Sequence, residues 1–146
     1  MTNRADAVDV QSWQIGHRPE PLRFVVTSEL NQQYLFAEED FDPIYLGENG
    51  LVHPTLLLSM SNSPKSPSYR LAEGTGGMVA KEVTRFLGHA RVGALLIAEW
   101  KLVDSYERRG RLYNVIETLL TDEGRGIEIL ARTIYETYTS PQKGRD

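Results

Sequence analysis

The feature that most constrains the fold is a short segment, residues 53–60, that is apolar on almost every side. It reads His-Pro-Thr-Leu-Leu-Leu-Ser-Met. Pro54 predicts the start of a helix, because proline is favoured in a helix's first turn, and Pro64 ends the segment. A helix that is apolar nearly all round is normally buried. The sequence therefore predicts a central helix that other elements must cover.

Four segments after this helix predict β-strands. They are rich in β-branched and aromatic residues and are separated by turn residues: Met78–Leu87, Val92–Val103, Arg111–Leu120 and Ile127–Thr139. The last two alternate between apolar and polar side chains with a period of two. This pattern with short connections predicts an antiparallel meander with one face exposed.

The first third of the chain predicts a short strand at 22–26 and a helix at 29–37, with Leu30, Tyr34 and Ala37 on one face. A turn-rich stretch, residues 40–50, follows. The whole order predicts an α+β fold in which an antiparallel sheet wraps around the apolar helix. An α+β sandwich is the structural alternative.

Length and composition set the outer limits. The chain has 146 residues, which fits one domain, expected at residues 13–139 between flexible tails at 1–12 and 140–146. It has no cysteine, which excludes disulfides and thiolate metal sites, and no metal-ligand spacing is visible. We expect neither metal nor cofactor. No apolar run reaches the ~18 residues that span a bilayer, and no leader opens the chain, so the expected location is the cytoplasm, away from membranes.

The charge pattern argues against nucleic acid as a partner. The net charge is −4, and the basic residues are scattered, whereas a nucleic-acid groove needs a broad basic face. Arg108, Arg109 and Arg111 form one small cluster around Gly110, interpreted as a solvated turn between two strands. A contact between this cluster and a phosphate-bearing ligand such as coenzyme A is the minor alternative.

The stretch Asp40-Phe41-Asp42-Pro43-Ile44-Tyr45, with His53 eight residues later, carries the chemistry. It resembles the MaoC-like, R-specific enoyl-thioester hydratases and dehydratases, whose signature is Asp, any residue, Asn, Pro, a hydrophobe and a catalytic His. Asp40 falls on that family's catalytic Asp. Asp42 replaces the Asn, and Tyr45 replaces the His.

The resemblance continues into the apolar helix. His53 falls on the family's His that opens the central helix, Pro54 replaces the following Gly, and Ser59 falls on a Ser six residues after the His. The resemblance covers roughly residues 25–138 and implies the hot-dog fold. It also implies a shorter connection from Tyr45 to His53 than is typical, and therefore a more open acyl pocket.

The resemblance implies a lyase that hydrates an enoyl thioester, or dehydrates a 3-hydroxyacyl thioester, of coenzyme A or a carrier protein. Asp40 would be the base, Tyr45 or His53 would assist, and Ser59 would orient Asp40. The start of the helix would receive the thioester oxygen. Because Pro54 has no N–H, that contact falls to Thr55 or a later residue, and Pro54 and Thr55 are the expected substrate-binding residues.

Other interpretations stay open. Asp40 and Asp42 are also common turn formers, and His53 could simply cap the helix. Without the usual His, the chain could be a non-catalytic hot-dog subunit that pairs with a competent partner, or a thioesterase in which Asp40 activates water. The exposed edges of the sheet predict a homodimer, or a heteromer with another hot-dog protein.

Overall fold

The computed structural model describes residues 8–140; residues 1–7 and 141–146, which belong to the expected tails, lie outside the described range. Short 3₁₀ helices cover Val10–Ser12, Pro43–Tyr45 and Ser63–Lys65. The main elements, in chain order, are β1 (Leu22–Val25), α1 (Ser28–Ala37), α2 (Pro54–Met60), β2 (Gly77–Phe86), β3 (Leu95–Arg108), β4 (Arg111–Asp122) and β5 (Ile127–Tyr138).

The five strands form one antiparallel sheet in the order β1-β3-β4-β5-β2. The predicted meander is confirmed for β3, β4 and β5, whereas β2 pairs with β5 instead of with its neighbour in the chain, β3. The predicted bounds Val92–Val103 were wrong. The corresponding strand, β3, begins at Leu95 and continues to Arg108. Gly93 has a positive φ of 88° and belongs to a turn. Arg108 pairs with Arg111, so Arg109 and Gly110 form a two-residue hairpin turn.

Helix α1 begins after Thr27, whose side-chain oxygen accepts a hydrogen bond of 3.2 Å from the Leu30 N–H. Leu30 and Tyr34 of the predicted apolar face pack half-buried against the core, as predicted, whereas Ala37 is exposed. The two fully buried residues of the helix are Asn31 and Leu35. The two residues are four apart and therefore lie on one face of the helix. The sequence pattern missed this face because one of its two residues is polar.

The chain enters the core earlier than expected. Val10 is fully buried, and its N–H donates to the Arg70 carbonyl at 2.7 Å. Its carbonyl accepts a hydrogen bond of 3.0 Å from the Asn114 side chain. The expected boundary between tail and domain at residue 13 therefore shifts toward the N-terminus, because residue 10 already fills part of the core.

Helix α2 lies against one face of the sheet and is held there at its C-terminal end. The buried Arg132 side chain donates to the Leu58 carbonyl at 2.7 Å and to Ser61 Oγ at 2.9 Å. The Trp100 indole N–H donates to the Ser61 carbonyl at 3.0 Å. These contacts satisfy carbonyl groups that the end of a helix leaves without an intrahelical partner.

Burial of α2 is less complete than predicted. Leu56 and Leu57 are buried, whereas Leu58 and Met60 are only half-buried. One five-stranded sheet covers one side of a helix, and the remaining side stays partly open. Within residues 8–140, no helix has the length and apolar character needed to cross a membrane.

We predict that Arg132→Met destabilises the protein by about 2–4 kcal/mol, because it leaves Glu82 and the Leu58 carbonyl without their cationic partner. Glu82 Oε1 lies 2.7 Å from Arg132 Nη2, and the two side chains are 32% and 3% exposed. Urea unfolding measures the loss. Arg85→Met, an exposed position on β2, is the control, and equal losses in the two variants would contradict the anchoring role of Arg132.

Candidate active site

Asp40 is positioned by the way helix α1 ends. The Asp40 N–H donates to the Leu35 carbonyl at 2.9 Å, and the Glu39 N–H donates to the Phe36 carbonyl at 3.2 Å. This pair of bonds is a Schellman motif, which reverses the chain after a helix. It requires a left-handed residue, and Glu39 adopts a φ of 53° in place of the usual glycine. The motif directs Asp40 back toward the start of α2.

Asp40 and His53 form a direct contact. His53 Nε2 lies 3.1 Å from Asp40 Oδ2, and the two side chains are 10% and 36% exposed. The other ring nitrogen, Nδ1, accepts a hydrogen bond of 3.2 Å from the Thr55 N–H. A ring nitrogen that accepts a hydrogen bond carries no proton. Neutral His53 therefore holds its proton on Nε2, and this N–H donates a hydrogen bond to Asp40. The imidazole therefore caps α2 and orients the carboxylate at once.

The second carboxylate oxygen of Asp40 faces its own loop. Oδ1 accepts a hydrogen bond of 3.2 Å from the Asp42 N–H. Asp42 in turn caps the 3₁₀ helix at residues 43–45, with its Oδ1 3.0 Å from the Ile44 N–H. The carboxylate of Asp40 is thus fixed at both oxygens while about a third of its side chain stays open to solvent.

Asn31 connects the parts of this site, and sequence reasoning missed it. Its side-chain N–H₂ donates to the carbonyl groups of Tyr45 at 3.1 Å and Leu51 at 2.9 Å. Its Oδ1 accepts from the His53 N–H at 2.9 Å. One fully buried amide therefore fixes both ends of the loop between Tyr45 and His53. The only sequence signal was a polar residue four positions before Leu35, on the same helix face.

Tyr45 lies beside the pair. Its ring centroid is 5.0 Å from that of His53. Burial raises the pKa of the Tyr45 hydroxyl, and the negative charges of Asp40 and Asp42 raise it further. A raised pKa favours the protonated form, so at neutral pH this hydroxyl is a proton donor and not a base.

The remaining predicted residues have other contacts. Ser59 Oγ accepts a hydrogen bond of 3.1 Å from the Tyr34 hydroxyl, so it is not the partner expected for Asp40. Ser59 lies five residues beyond Pro54, about 7.5 Å along the helix axis from the end that carries the pair. The Thr55 N–H, expected at the thioester oxygen, donates to the His53 ring instead.

An apolar cleft of about 380 Å³ adjoins the N-terminal end of α2. Its walls are Val52, Pro54 and Leu57 on one side and residues 86–90 on the other. Val52 and Pro54 flank His53 in the chain, and Val52 donates its N–H to the Ala90 carbonyl at 2.8 Å. The volume falls in the range of small-molecule sites, and the walls are mainly hydrophobic. Within residues 8–140, no group of three or more metal-ligating side chains comes together.

Comparison with known proteins places the fold. No protein-family model matches the chain, and no curated protein matches it either. Solved structures do match. The monoamine oxidase regulatory protein of Archaeoglobus fulgidus has a TM-score of 0.73 at 18% identity, covering 94% of this chain and 99% of that one.

Two dehydratases are similar. The MaoC-like dehydratase of Rhodospirillum rubrum has a TM-score of 0.69 at 14% identity, covering 92% of this chain and 97% of that one. One chain of the C-terminally truncated HadBC (3R-hydroxyacyl-ACP dehydratase) complex of Mycobacterium tuberculosis has a TM-score of 0.71 at 16% identity, covering 88% and 99%. This chain has the hot-dog fold.

We predict that Asn31→Asp destabilises the hot-dog domain by about 2–3 kcal/mol, because a carboxylate cannot donate to the Tyr45 and Leu51 carbonyl groups. Thermal or urea unfolding at neutral pH measures the effect. Asn49→Asp makes the same charge change at an exposed loop position and serves as the control. If both variants unfold alike, Asn31 does not hold the loop.

Proposed function

We propose that this hot-dog protein is a hydratase or dehydratase of acyl thioesters in which Asp40, oriented by His53, is the base. The observation that carries the proposal is the 3.1 Å contact between His53 Nε2 and Asp40 Oδ2. It supplies a carboxylate and an imidazole side by side although the position expected for the catalytic His holds Tyr45. The solved structures with this fold include MaoC-like dehydratases and (R)-hydratases, which supports the reaction class.

The proposed hydration needs one proton acceptor and one proton donor. Asp40 accepts a proton from a water molecule, and the water oxygen attacks the β-carbon of the enoyl thioester. The Tyr45 hydroxyl gives its proton to the α-carbon, and protonated Asp40 returns a proton to Tyr45. The proton on His53 Nε2 stays in place and holds the carboxylate in position. Dehydration follows the same steps in reverse.

The acyl chain is proposed to occupy the cleft beside α2. Its apolar walls suit a hydrocarbon chain, and Pro54 lies among them. Thr55 follows Pro54 at the mouth of the helix and is the proposed contact of the thioester. Its N–H donates to the His53 ring, so the proposed contact uses the Thr55 hydroxyl, and His53 keeps its place beside Asp40.

We predict that Asp40→Asn lowers hydration of 2-enoyl-CoA substrates by about 10²–10⁴-fold, the usual effect of losing a general base. The decrease in absorbance of the enoyl-thioester band measures the rate. Asp42→Asn is the matched control, because it makes the same charge change in the same loop and asparagine also caps a helix. Equal rates in Asp40→Asn and wild type would exclude Asp40 as the base.

A thiol assay on the same samples tests the second candidate. Thioesterases also have this fold, and a carboxylate such as Asp40 can activate water against a thioester carbon. Hydrolysis of the thioester also removes the enoyl-thioester band, so free coenzyme A released in step with the loss of the band would assign thioester hydrolysis. Loss of the band without free thiol would assign hydration. Absence of both activities would favour a non-catalytic subunit that requires a competent hot-dog partner.

The proposed assembly is a dimer, or a heteromer of hot-dog chains as in the HadBC complex, joined through β2. This strand lies at one edge of the sheet, where unpaired backbone groups can pair with a second chain. Large apolar side chains on it are 45–52% exposed: Met78, Val79, Val83 and Phe86.

We predict that Val83→Lys yields monomers, because a lysine on an edge strand opposes pairing of two copies. Sedimentation velocity measures the mass. Val25→Lys is the matched control: Val25 is 47% exposed on β1, the other edge strand. Monomers from Val25→Lys alone would move the interface to β1.

A further inference from the structure

A second cleft lies at the tip of the β3–β4 hairpin, on the face of the sheet opposite α2. It has a volume of about 490 Å³, and its lining combines three tyrosines with three cationic side chains: Tyr106, Tyr113, Tyr135, Lys81, Arg108 and Arg109. No acidic side chain is in this lining. The combination matches the two parts of a nucleotide, an aromatic base and its phosphates.

The strand register explains why these side chains meet. Tyr106 pairs directly with Tyr113, and Tyr135 pairs with Lys81. Directly opposed residues of an antiparallel sheet point to the same face, and so do residues two apart along a strand. Arg108 is two residues beyond Tyr106 and therefore joins this face.

The tyrosine rings form a stacking surface. The Tyr106 and Tyr113 rings are parallel within 8°, with centroids 5.3 Å apart, and Tyr106 is 37% exposed. Lys81 Nζ lies 5.3 Å from the centre of the Tyr135 ring. A nucleotide base can stack on the open face of such a ring, and the neighbouring ammonium and guanidinium groups then face its phosphates.

Arg109 is a poor choice for the turn alone. Its φ is 52° and that of Gly110 is 77°. A hairpin turn with two positive φ angles favours Asn-Gly or Asp-Gly, because asparagine and aspartate tolerate this region better than a long side chain does. A strained residue whose side chain reaches a cleft is a reason to look for function there. Arginine here adds positive charge at the cleft where asparagine would give the better turn.

This cleft is separate from the Asp40–His53 site. The latter lies near the start of β3, because Val52, the residue before His53, donates its N–H at 2.8 Å to the carbonyl of Ala90, five residues before this strand. The tyrosine cleft lies at the far end of the same strand, up to about 40 Å away for an extended chain of this length. A ligand in the cleft does not need Asp40.

We propose that the tyrosine cleft binds a nucleotide with two phosphates in a row. The base stacks on Tyr106, and the phosphates pair with Arg108, Arg109 and Lys81. Free ADP and the nucleotide half of a coenzyme A thioester share this chemistry. A nucleic-acid chain fits less well, because it needs a broad basic surface. Here three basic side chains line one cleft, and the protein's net charge is −4.

Calorimetric titration with ADP tests the proposal. We expect binding to wild type, binding at least about tenfold weaker to Arg109→Asn, and about five- to a hundredfold weaker to Tyr106→Ala. Arg109→Asn should keep or raise stability toward urea, because asparagine suits the turn, so a purely structural role would not weaken binding. Arg23→Gln, exposed on β1, removes one positive charge at a distant position and should bind ADP like wild type.

Further titrations distinguish a free nucleotide from the nucleotide half of coenzyme A as the ligand. Asp40→Asn should bind ADP normally, which separates this inference from the proposed hydratase activity. Coenzyme A that displaces ADP would identify the cleft as the anchor for a thioester, and coenzyme A that does not would identify a free nucleotide. No binding of ADP to wild type, or equal binding to Arg109→Asn, overturns the proposal. Tighter binding of a single-stranded oligonucleotide than of ADP also overturns it, in favour of a nucleic-acid surface.

Discussion

The attachment of α2 to the sheet by Arg132 is the interaction on which the rest of the structure depends. A helix of seven residues does not form stably by itself in water, so its packing must hold it. The guanidinium reaches the last turn of this helix at Leu58 and Ser61, inside the core. A buried arginine is costly unless its donors are used, and here Glu82 and two oxygen atoms of the helix end accept four hydrogen bonds from the guanidinium. The packing of α2 in the core therefore depends on this contact.

The other end of α2 is fixed by Asn31 in a comparable way. This amide joins α1, the loop and the start of α2, so His53 cannot move without breaking a buried hydrogen bond. Asp40 leaves α1 nine residues later through a strained turn at Glu39. The carboxylate and the imidazole therefore come from two helices that one side chain holds together, which is the rigid support that the proposed catalytic role of the pair requires.

The sequence predicted the sheet well because period-two alternation is visible residue by residue, as at Leu112 to Thr118. It predicted α2 from Pro54 and the apolar run. It placed Leu30 and Tyr34 of α1 against the core but missed Asn31 beside them, because a hydrogen-bonding asparagine in the core looks like any surface asparagine. It also placed Ser59 beside Asp40 by analogy of spacing, whereas the hydroxyl of Tyr34, on α1, reaches Ser59. Contacts that close a loop between distant positions leave no local pattern to read.

His53 caps α2 and also holds Asp40, the proposed base. The Thr55 N–H needs an acceptor, and the lone pair on His53 Nδ1 is that acceptor only while the ring is neutral. Protonation of the ring would remove this lone pair and break the hydrogen bond from the Thr55 N–H. It would also strengthen the attraction between the imidazolium and Asp40. The neutral ring thus keeps the helix capped and the carboxylate oriented.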